Sequence, residues 1–248
     1  CRHWTEPDHG PWEVRHRPKH HVYAKAMVWM ALERALRMHR SGAIDGDAST
    51  WEAAAQAIRE EVLRDGVDPS GGHFMQSYGV PVVDASNLVV PILGLLPFDD
   101  PRVRRTVERV RAELETDGLV RRYVADDGIA GGEGAFGLCS FWLIYVLTLS
   151  GQVEEAAGLF DAMAGRANHL GLFAEQIDPR TGEQLGNFPQ AFTHIGLVNS
   201  AIYLAHARGV ASPVSQPVGT DRHRADSPLL APPAGHAEAD RARVVDGH

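Results

Sequence analysis

Two glutamates have the neighbours that acid–base chemistry on a sugar requires. Glu13 follows Trp12 in the stretch GPWEVRHRPKHH, directly before a segment with a strong helical pattern. An aromatic ring is a platform for a sugar ring, and it raises the pKa of a neighbouring carboxyl group by limiting its hydration. Glu175 stands in LFAEQIDP, where Gln176 can hydrogen-bond to sugar hydroxyls. One protonated and one ionised carboxyl group, on opposite loops, are what hydrolysis of a glycosidic bond needs.

Simpler interpretations of these acids stay open at this point. Glu13 also fits a surface glutamate at a helix N-terminus, which the helix dipole favours. Glu133 stands in GGEGAF, where glycines allow the backbone to come close to a ligand,. The same residue equally fits a cap for the helix that follows it.

The elements that must position these residues are helices. The hydrophobic pattern predicts seven of them, at 19–40, 50–64, 84–96, 101–115, 135–149, 154–167 and 191–207,. Ser49 or Thr50 is the predicted N-cap of the second helix and Asp84 that of the third, which Pro91 is expected to bend. The short segment HFMQSYG is predicted to be a loop, and no segment shows the alternation typical of β-strands,.

The helices alternate between two types. Those from 84, 135 and 191 are apolar on most faces, which is typical of inner helices, and those from 50, 101 and 154 carry a charged outer face,. The helix from 19 is intermediate, and its place in the order makes it inner. We therefore predict an all-α fold of alternating inner and outer helices, stacked as an open solenoid or as a closed toroid.

In a toroid of this kind, all outer-to-inner connections lie at one end. Each of these connections carries acids, amides or aromatic residues. The residues singled out on them are Trp12, Glu13, Val14, Arg15, Tyr78, Asp84, Glu133, Glu175, Gln176, Asn187 and Gln190. The inner-to-outer connections, such as RSGAIDGDA and LPFDDP, are plain turns. This asymmetry predicts a cup-shaped active site at one rim.

Composition excludes several other classes of protein. The chain of 248 residues has a net charge of −8, which argues against a general nucleic-acid binder,. Cys1 and Cys139 form neither a disulfide framework nor a zinc-ligand pattern, and Cys139 is expected to pack in the core,. The sequence contains no run of eighteen apolar residues, so it predicts no membrane span. We expect a cytoplasmic protein without a cofactor or metal, and the initial Cys indicates a fragment or a processed product.

Four stretches resemble successive segments of one enzyme family. DHGPWEVRHRPKHHVYAKAMVWMALERA, YGVPVVDASNLVVPILGLLPFDDPRV, GGEGAFGLCSFWLIYVLTLSG and GLFAEQIDPRTGEQLGNFPQAFTHIGLVNSA are similar to the bacterial glucoamylase-like enzymes of glycoside hydrolase family 15, which include trehalases. The resemblance covers about residues 3 to 207. It implies part of an (α/α)6 toroid and an inverting mechanism, with Glu13 as the acid and Glu175 as the base.

The resemblance and the predicted rim together define the expected sugar pocket. Its substrate-binding residues are predicted to be Trp12, Arg15, Tyr78, Asp84, Glu133, Gln176, Gln190 and His194. The stretch HRPKHHVYAK departs from the family pattern after the Arg, which affects the pocket beyond the first sugar. Residues 1–209 are interpreted as the C-terminal part of the catalytic domain and 210–248 as a disordered tail. Because family members have earlier helices, we expect the isolated chain to be inactive.

Three other functions remain as alternatives to an exo-acting α-glucosidase of glucoamylase type that acts on a small carbohydrate. Trehalase needs the same two acids, because it also cleaves an α-glucosidic bond with inversion. A non-catalytic helical-repeat binding module needs neither acid. A farnesyl-transferase-like or lyase toroid is disfavoured, because the former would require a zinc set of Asp, Cys and His.

Overall fold

Seven α-helices make up about half of the chain that the computed structural model describes, which comprises residues 2–13, 15, 17–124 and 133–210. The helices are α1 (Val22–Arg40), α2 (Ala48–Asp65), α3 (Val89–Leu93), α4 (Pro101–Leu114), α5 (Gly137–Leu149), α6 (Val153–Ala164) and α7 (Ala191–Ala207). Five two-residue strands lie between them: β1 (Glu115–Thr116), β2 (Leu119–Val120), β3 (Ala135–Phe136), β4 (Gln176–Ile177) and β5 (Gln184–Leu185). The predicted all-α fold is confirmed.

The burial of the helices follows the inner and outer alternation except at α7, a predicted inner helix that leaves one apolar face exposed. Helix α5 is buried on nearly all sides, whereas α2 and α4 each bury a single stripe of apolar residues. Helix α5 packs against both α6 and α7, and α1 packs against α2. Two hydrophobic clusters result, one around α5 and one between α1 and α2. Cys139 lies in the first cluster, and burial raises the pKa of its thiol.

Several helix boundaries differ from the predicted ones, and those of α2 and α3 have a clear local cause. Asp47, rather than Ser49 or Thr50, is the N-cap of α2, because its carboxylate accepts the Thr50 N–H. Asp84 accepts the Ser86 N–H as predicted, but it caps a 3₁₀ turn (Ala85–Leu88) that leads into α3. Gly94, with φ of 95°, then ends α3 in the left-handed region that favours glycine,.

The five short strands were not predicted. Strands β1 and β2 form a hairpin, and β3, β4 and β5 form an antiparallel sheet in that order. Residue pairs Phe136–Gln176 and Gln176–Leu185 lie opposite each other in this sheet. The sheet therefore joins the connection that enters α5 to the connection that enters α7, at the end where both inner helices begin.

One face of α7 is left uncovered. Phe192, Ile195 and Val198 are 60%, 52% and 54% exposed. We refer to these three residues as the α7 stripe. Across the described ranges, no helix is long and apolar enough to cross a membrane. The predicted disordered tail, apart from Val210, lies outside the described residues.

Candidate active site

The segment that carries Glu13 ends in an unusual backbone conformation. Glu13 has φ of 50°, in the left-handed region, and its N–H lies 3.4 Å from the carbonyl oxygen of Gly10. A residue with a Cβ pays about 1–2 kcal/mol for this conformation. Such strain clusters at functional sites, where the surrounding structure holds it in place. The Glu13 side chain is exposed, as the group of a proton donor at a substrate cleft must be.

Trp12 is fixed by contacts to two other connections. Its indole Nε1 donates to both carboxylate oxygens of Asp84 at 3.0 Å. Its ring meets Phe136 edge-on at 5.4 Å between centroids, and Trp142 lies 6.1 Å away. Because Asp84 precedes α3 and Phe136 precedes α5, Trp12 joins three of the four outer-to-inner connections at one rim. This supports the predicted cup.

The Asp84 side chain is buried and hydrogen-bonded within the protein. It is only 1% exposed, and its oxygens also accept from Gln76 Nε2 at 2.9 Å and from the Ser86 N–H at 2.8 Å. The carboxylate therefore lies behind Trp12, and both of its oxygens accept hydrogen bonds from the protein. The sequence predicted a polar residue at this rim, and direct contact between Asp84 and a sugar stays a prediction. Its structure fits a residue that orients Trp12.

Arg122 is a prominent site residue that the sequence analysis missed. Its guanidinium group forms an ion pair with Glu133, with Nε 3.2 Å from Oε2 and a closer contact from Nη2 to Oε1. The same group lies 5.4 Å from the Trp12 ring and 5.5 Å from the Phe136 ring, within range of cation–π attraction,. The capping interpretation of Glu133 thus gives way to an ion pair at the rim.

Glu133 and Arg122 connect directly to the second acid-bearing loop. The N–H of Gly134, next to Glu133, donates to Gln176 Oε1 at 2.9 Å. A side chain at Gly134 would come within 2.9 Å of the Ile177 carbonyl oxygen, so glycine permits this close approach,. Gln176 is also the pairing partner of Phe136. Phe136 therefore lies between Trp12, which precedes Glu13, and Gln176, which follows Glu175.

Every backbone group of the segment 173–175 has a partner. The Phe173 N–H donates to His194 Nε2 at 3.3 Å, and its carbonyl accepts the Gln190 N–H at 2.9 Å. The Ala174 N–H donates to Gln184 Oε1 at 2.6 Å, and its carbonyl accepts Thr193 Oγ1 at 3.1 Å. The Glu175 N–H and carbonyl bond to Asn187 and Gly137, both at 2.9 Å. This segment is consequently held from α5, α7 and the β5 side at once.

The Glu175 carboxylate is held more loosely than its backbone. Its Oε2 lies 3.4 Å from both the backbone and the side-chain nitrogen of Asn187, and the residue is partly exposed. A Cβ added to Gly186 would lie 2.7 Å from the same oxygen. The carboxylate therefore sits in a slot lined by backbone, accessible to water at the rim. A partly solvated, hydrogen-bonded carboxylate suits the activation of a water molecule.

His194 and Gln190 support this loop from the first turn of α7. His194 Nδ1 lies 2.7 Å from the Gln190 carbonyl oxygen, and its Nε2 accepts the Phe173 N–H. Both ring nitrogens are thus engaged inside the protein, and the contact of the partly exposed His194 with sugar stays a prediction. Gln190 is the N-cap of α7, where its Oε1 accepts the Phe192 N–H at 3.3 Å. Its side chain therefore organises the helix start.

Tyr78 and Arg15 complete the predicted set. The Tyr78 ring stacks on His20 at 5.6 Å and packs against the α1–α2 cluster. Burial, and then the nearby Glu61 carboxylate of α2, raise the pKa of its hydroxyl well above the ordinary value. Tyr78 thus faces α2, away from the contacts that join Trp12 to Phe136. Arg15 is exposed next to Glu13, and Val14 lies outside the described residues.

The assembled rim thus presents two carboxyl groups, a basic group and an aromatic floor. Glu13 follows Trp12, whose ring contacts Phe136, and Glu175 precedes Gln176, whose backbone pairs with Phe136, so the two loops meet at this residue. Arg122 and Glu133 lie in the same cluster. Aromatic surface with interspersed charged and amide groups is the surface that a sugar ring requires, and the paired carboxyl groups allow general acid and base catalysis.

Comparisons with known sequences point to one family. The model of glycosyl hydrolases family 15 matches residues 1–202. The chain is 43% identical to a trehalase of Mycobacterium tuberculosis over 226 residues, which is 88% of this chain and 33% of that protein. It is 42% identical to a trehalase of Thermoplasma acidophilum over 82% of this chain and 35% of that protein. An isomaltose glucohydrolase of Kribbella flavida is 30% identical, with 93% and 55% covered. The chain spans about a third of the length of the trehalases.

Solved structures have the same fold. A wild-type glycosidase superposes with a TM-score of 0.70 at 25% identity, over 84% of this chain and 56% of that chain. A bacterial glucoamylase in complex with acarbose superposes with a TM-score of 0.67 at 15% identity, over 84% and 35%. The second likeness concerns the fold alone.

Proposed function

Because the chain belongs to the glycosyl hydrolases of family 15, we propose that the complete protein containing it hydrolyses α-glucosidic bonds with inversion. Glu13 is the proposed acid and Glu175 the proposed base. The observation that carries this proposal is the convergence of their two loops on Phe136, with Trp12 on one side and Gln176 on the other.

The proposed chemistry assigns one proton transfer to each acid. Glu13 gives its proton to the glycosidic oxygen as the bond from that oxygen to the anomeric carbon breaks. Glu175 takes a proton from a water molecule, whose oxygen forms the new bond on the opposite face of the sugar. Trp12, held by Asp84, supplies a ring for the sugar to lie against, and Arg122 with Glu133 offers hydrogen bonds to sugar hydroxyls.

Trehalose is the first substrate to test. The relatives at 42–43% identity are named trehalases, and the glucoamylase structure is more distant in sequence at 15%. Maltose and longer maltooligosaccharides, the substrates of a glucoamylase-type enzyme, remain the alternative class. Isomaltose belongs in the same panel because of the relative named isomaltose glucohydrolase.

The decisive experiment follows product stereochemistry and the roles of the two acids. Proton NMR at early times should show β-glucose formed by inversion, with an equal amount of α-glucose when trehalose is the substrate. Glu13→Gln and Glu175→Gln should each lower kcat by several orders of magnitude and leave KM nearly unchanged. α-Glucosyl fluoride needs no protonation of its leaving group, so it should partly restore turnover by Glu13→Gln alone.

Each possible failure has a distinct meaning. Restored turnover by Glu175→Gln, but not by Glu13→Gln, would reverse the two roles. Net retention of the anomer would contradict the inverting mechanism. A non-catalytic binding module would bind a sugar without turnover, and neither substitution would change its affinity strongly. The predicted cytoplasmic location stays a prediction that cell fractionation tests.

A further inference from the structure

Lys25 is a buried cation whose ammonium group faces the acid-bearing segment. It lies in the first turns of α1 and is only 2% exposed. Its Nζ donates to the carbonyl oxygens of Trp4, in a close contact, and of Glu6, at 3.2 Å. The ammonium group also lies 5.6 Å from the centre of the Trp4 ring. All three contacts are to the segment 2–13, which carries Glu13.

Taking an ammonium group out of water is costly unless its hydrogen bonds are replaced. Here backbone carbonyls and a ring face replace water, and the Asp8 and Glu61 carboxylates are near enough to favour the charged form. Burial acts in the opposite direction and lowers the pKa of Lys25. An apolar residue would fill the same space without this cost, so the position of the charge calls for another explanation.

Polar ties add to the hydrophobic contacts that hold the segment 2–13, in which the partly buried Trp4 and Trp12 pack against the two hydrophobic clusters. None of its residues is buried. Asp8 and Lys19 exchange two backbone hydrogen bonds of 2.8 Å, and Asp8 also accepts the Gly10 N–H at 2.7 Å. At the far end, Trp12 donates to Asp84. Lys25 adds ties between the start of the segment and helix α1.

We propose that Lys25 is a positioning residue for the proton donor, because it fixes the segment whose end places Glu13 against Trp12. It touches neither substrate nor the reacting atoms. Its removal leaves the Trp4 and Glu6 carbonyls without their donor and allows the segment to move, while the base-bearing segment 173–175 is bonded to other elements. The defect should therefore resemble partial loss of the acid and spare the base. This inference rests on the proposed function.

The test uses the complete protein with Lys25→Met, which keeps the length and the apolar stem of the side chain. The matched control is Glu33→Gln, a second charged residue of α1 that is 1% exposed and pairs with Arg34 and Arg37 instead of the acid segment. Turnover of trehalose or maltose is compared with turnover of α-glucosyl fluoride, alongside Glu13→Gln. Circular dichroism and thermal melting report how much of each variant is folded.

A displaced acid should lower kcat of Lys25→Met by about 10- to 100-fold on the sugar substrate, with little change in KM. On α-glucosyl fluoride the loss should be within about threefold, because the leaving group needs no proton. The inference is overturned if Lys25→Met loses equally on both substrates, or if Glu33→Gln shows the same substrate dependence. If Glu13→Gln itself shows no such dependence, the proposed function fails instead.

Discussion

A single methyl group at Gly186 should displace the proposed base. In Gly186→Ala the new Cβ would lie 2.7 Å from Glu175 Oε2 and 3.3 Å from Glu175 Cβ. An ordinary contact begins near 3.4 Å, so the carboxylate must retreat by about 0.7 Å,. A misplacement of about 1 Å at a catalytic group costs on the order of 10²-fold in rate. We therefore expect kcat of the complete enzyme to fall by about 10- to 100-fold, while KM stays nearly constant.

Gly182→Ala is the control for backbone strain. Gly182 has φ of 73° and Gly186 has φ of 76°, so alanine at either position costs about 1–2 kcal/mol of stability,. No atom lies within 4 Å of a Cβ added at Gly182. The two variants should thus lose similar free energies of unfolding in urea. Only Gly186→Ala should lose turnover, on trehalose or maltose and on α-glucosyl fluoride alike, because water activation fails with every leaving group.

Two outcomes would refute this reasoning. Equal losses of kcat in both variants would mean that strain in the loop, rather than displacement of the carboxylate, controls the rate. Full activity of Gly186→Ala, with an unchanged initial anomer, would mean that Glu175 either moves freely or does not activate water. Either result would contradict the proposal that the Glu175 carboxylate, in the slot beside Gly186, acts as the base.

Three further changes test other parts of the structure. Trp12→Phe keeps an aromatic ring but removes the donor to Asp84. The loss should lower the free energy of unfolding in urea by about 1–3 kcal/mol and also lower kcat. An unchanged free energy of unfolding would show that this hydrogen bond contributes nothing to stability. Burial lowers the pKa of His73 below the ordinary 6.5. The unfolded chain therefore binds more protons than the folded one, and the free energy of unfolding should fall as pH drops below about 6.5. His73→Gln should flatten that dependence in urea titrations at several pH values. Ile195→Ser in the α7 stripe should reduce self-association of the isolated chain in sedimentation experiments, since apolar surface drives it,; undiminished association would place the contact elsewhere.

The order and type of the helices could be predicted from the sequence because each helix repeats its pattern over several turns. The same order predicted that Trp12, Glu133 and Gln176 share a rim, since alternating helices bring every second connection to one end. The contacts through Phe136 agree with that prediction. The capping of the 3₁₀ turn by Asp84 was likewise visible as a local signal.

The parts that could not be predicted depend on side-chain direction and on very short elements. Two-residue strands are too short for alternation to be visible, so the sheet that joins Gly134 to Gln176 left no pattern in the sequence. Arg122 acquires its place only through an ion pair and rings contributed by other segments. Asp84 and His194 are polar residues of the predicted rim, and neither the burial of Asp84 nor the hydrogen bonds of His194 can be read from the sequence.

The two acid-bearing segments should respond differently to heat. The segment 173–175 can open only if bonds to α5, α7 and the β5 side break together, which ties its opening to the core. The segment 2–13 has no buried residue and is held by hydrogen bonds and by the partly buried rings of Trp4 and Trp12, so it belongs nearer the low-stability end of local opening,. As temperature rises, we expect the proposed proton donor to be displaced before the proposed base. Inactivation of the complete protein should then precede global melting and reverse on cooling.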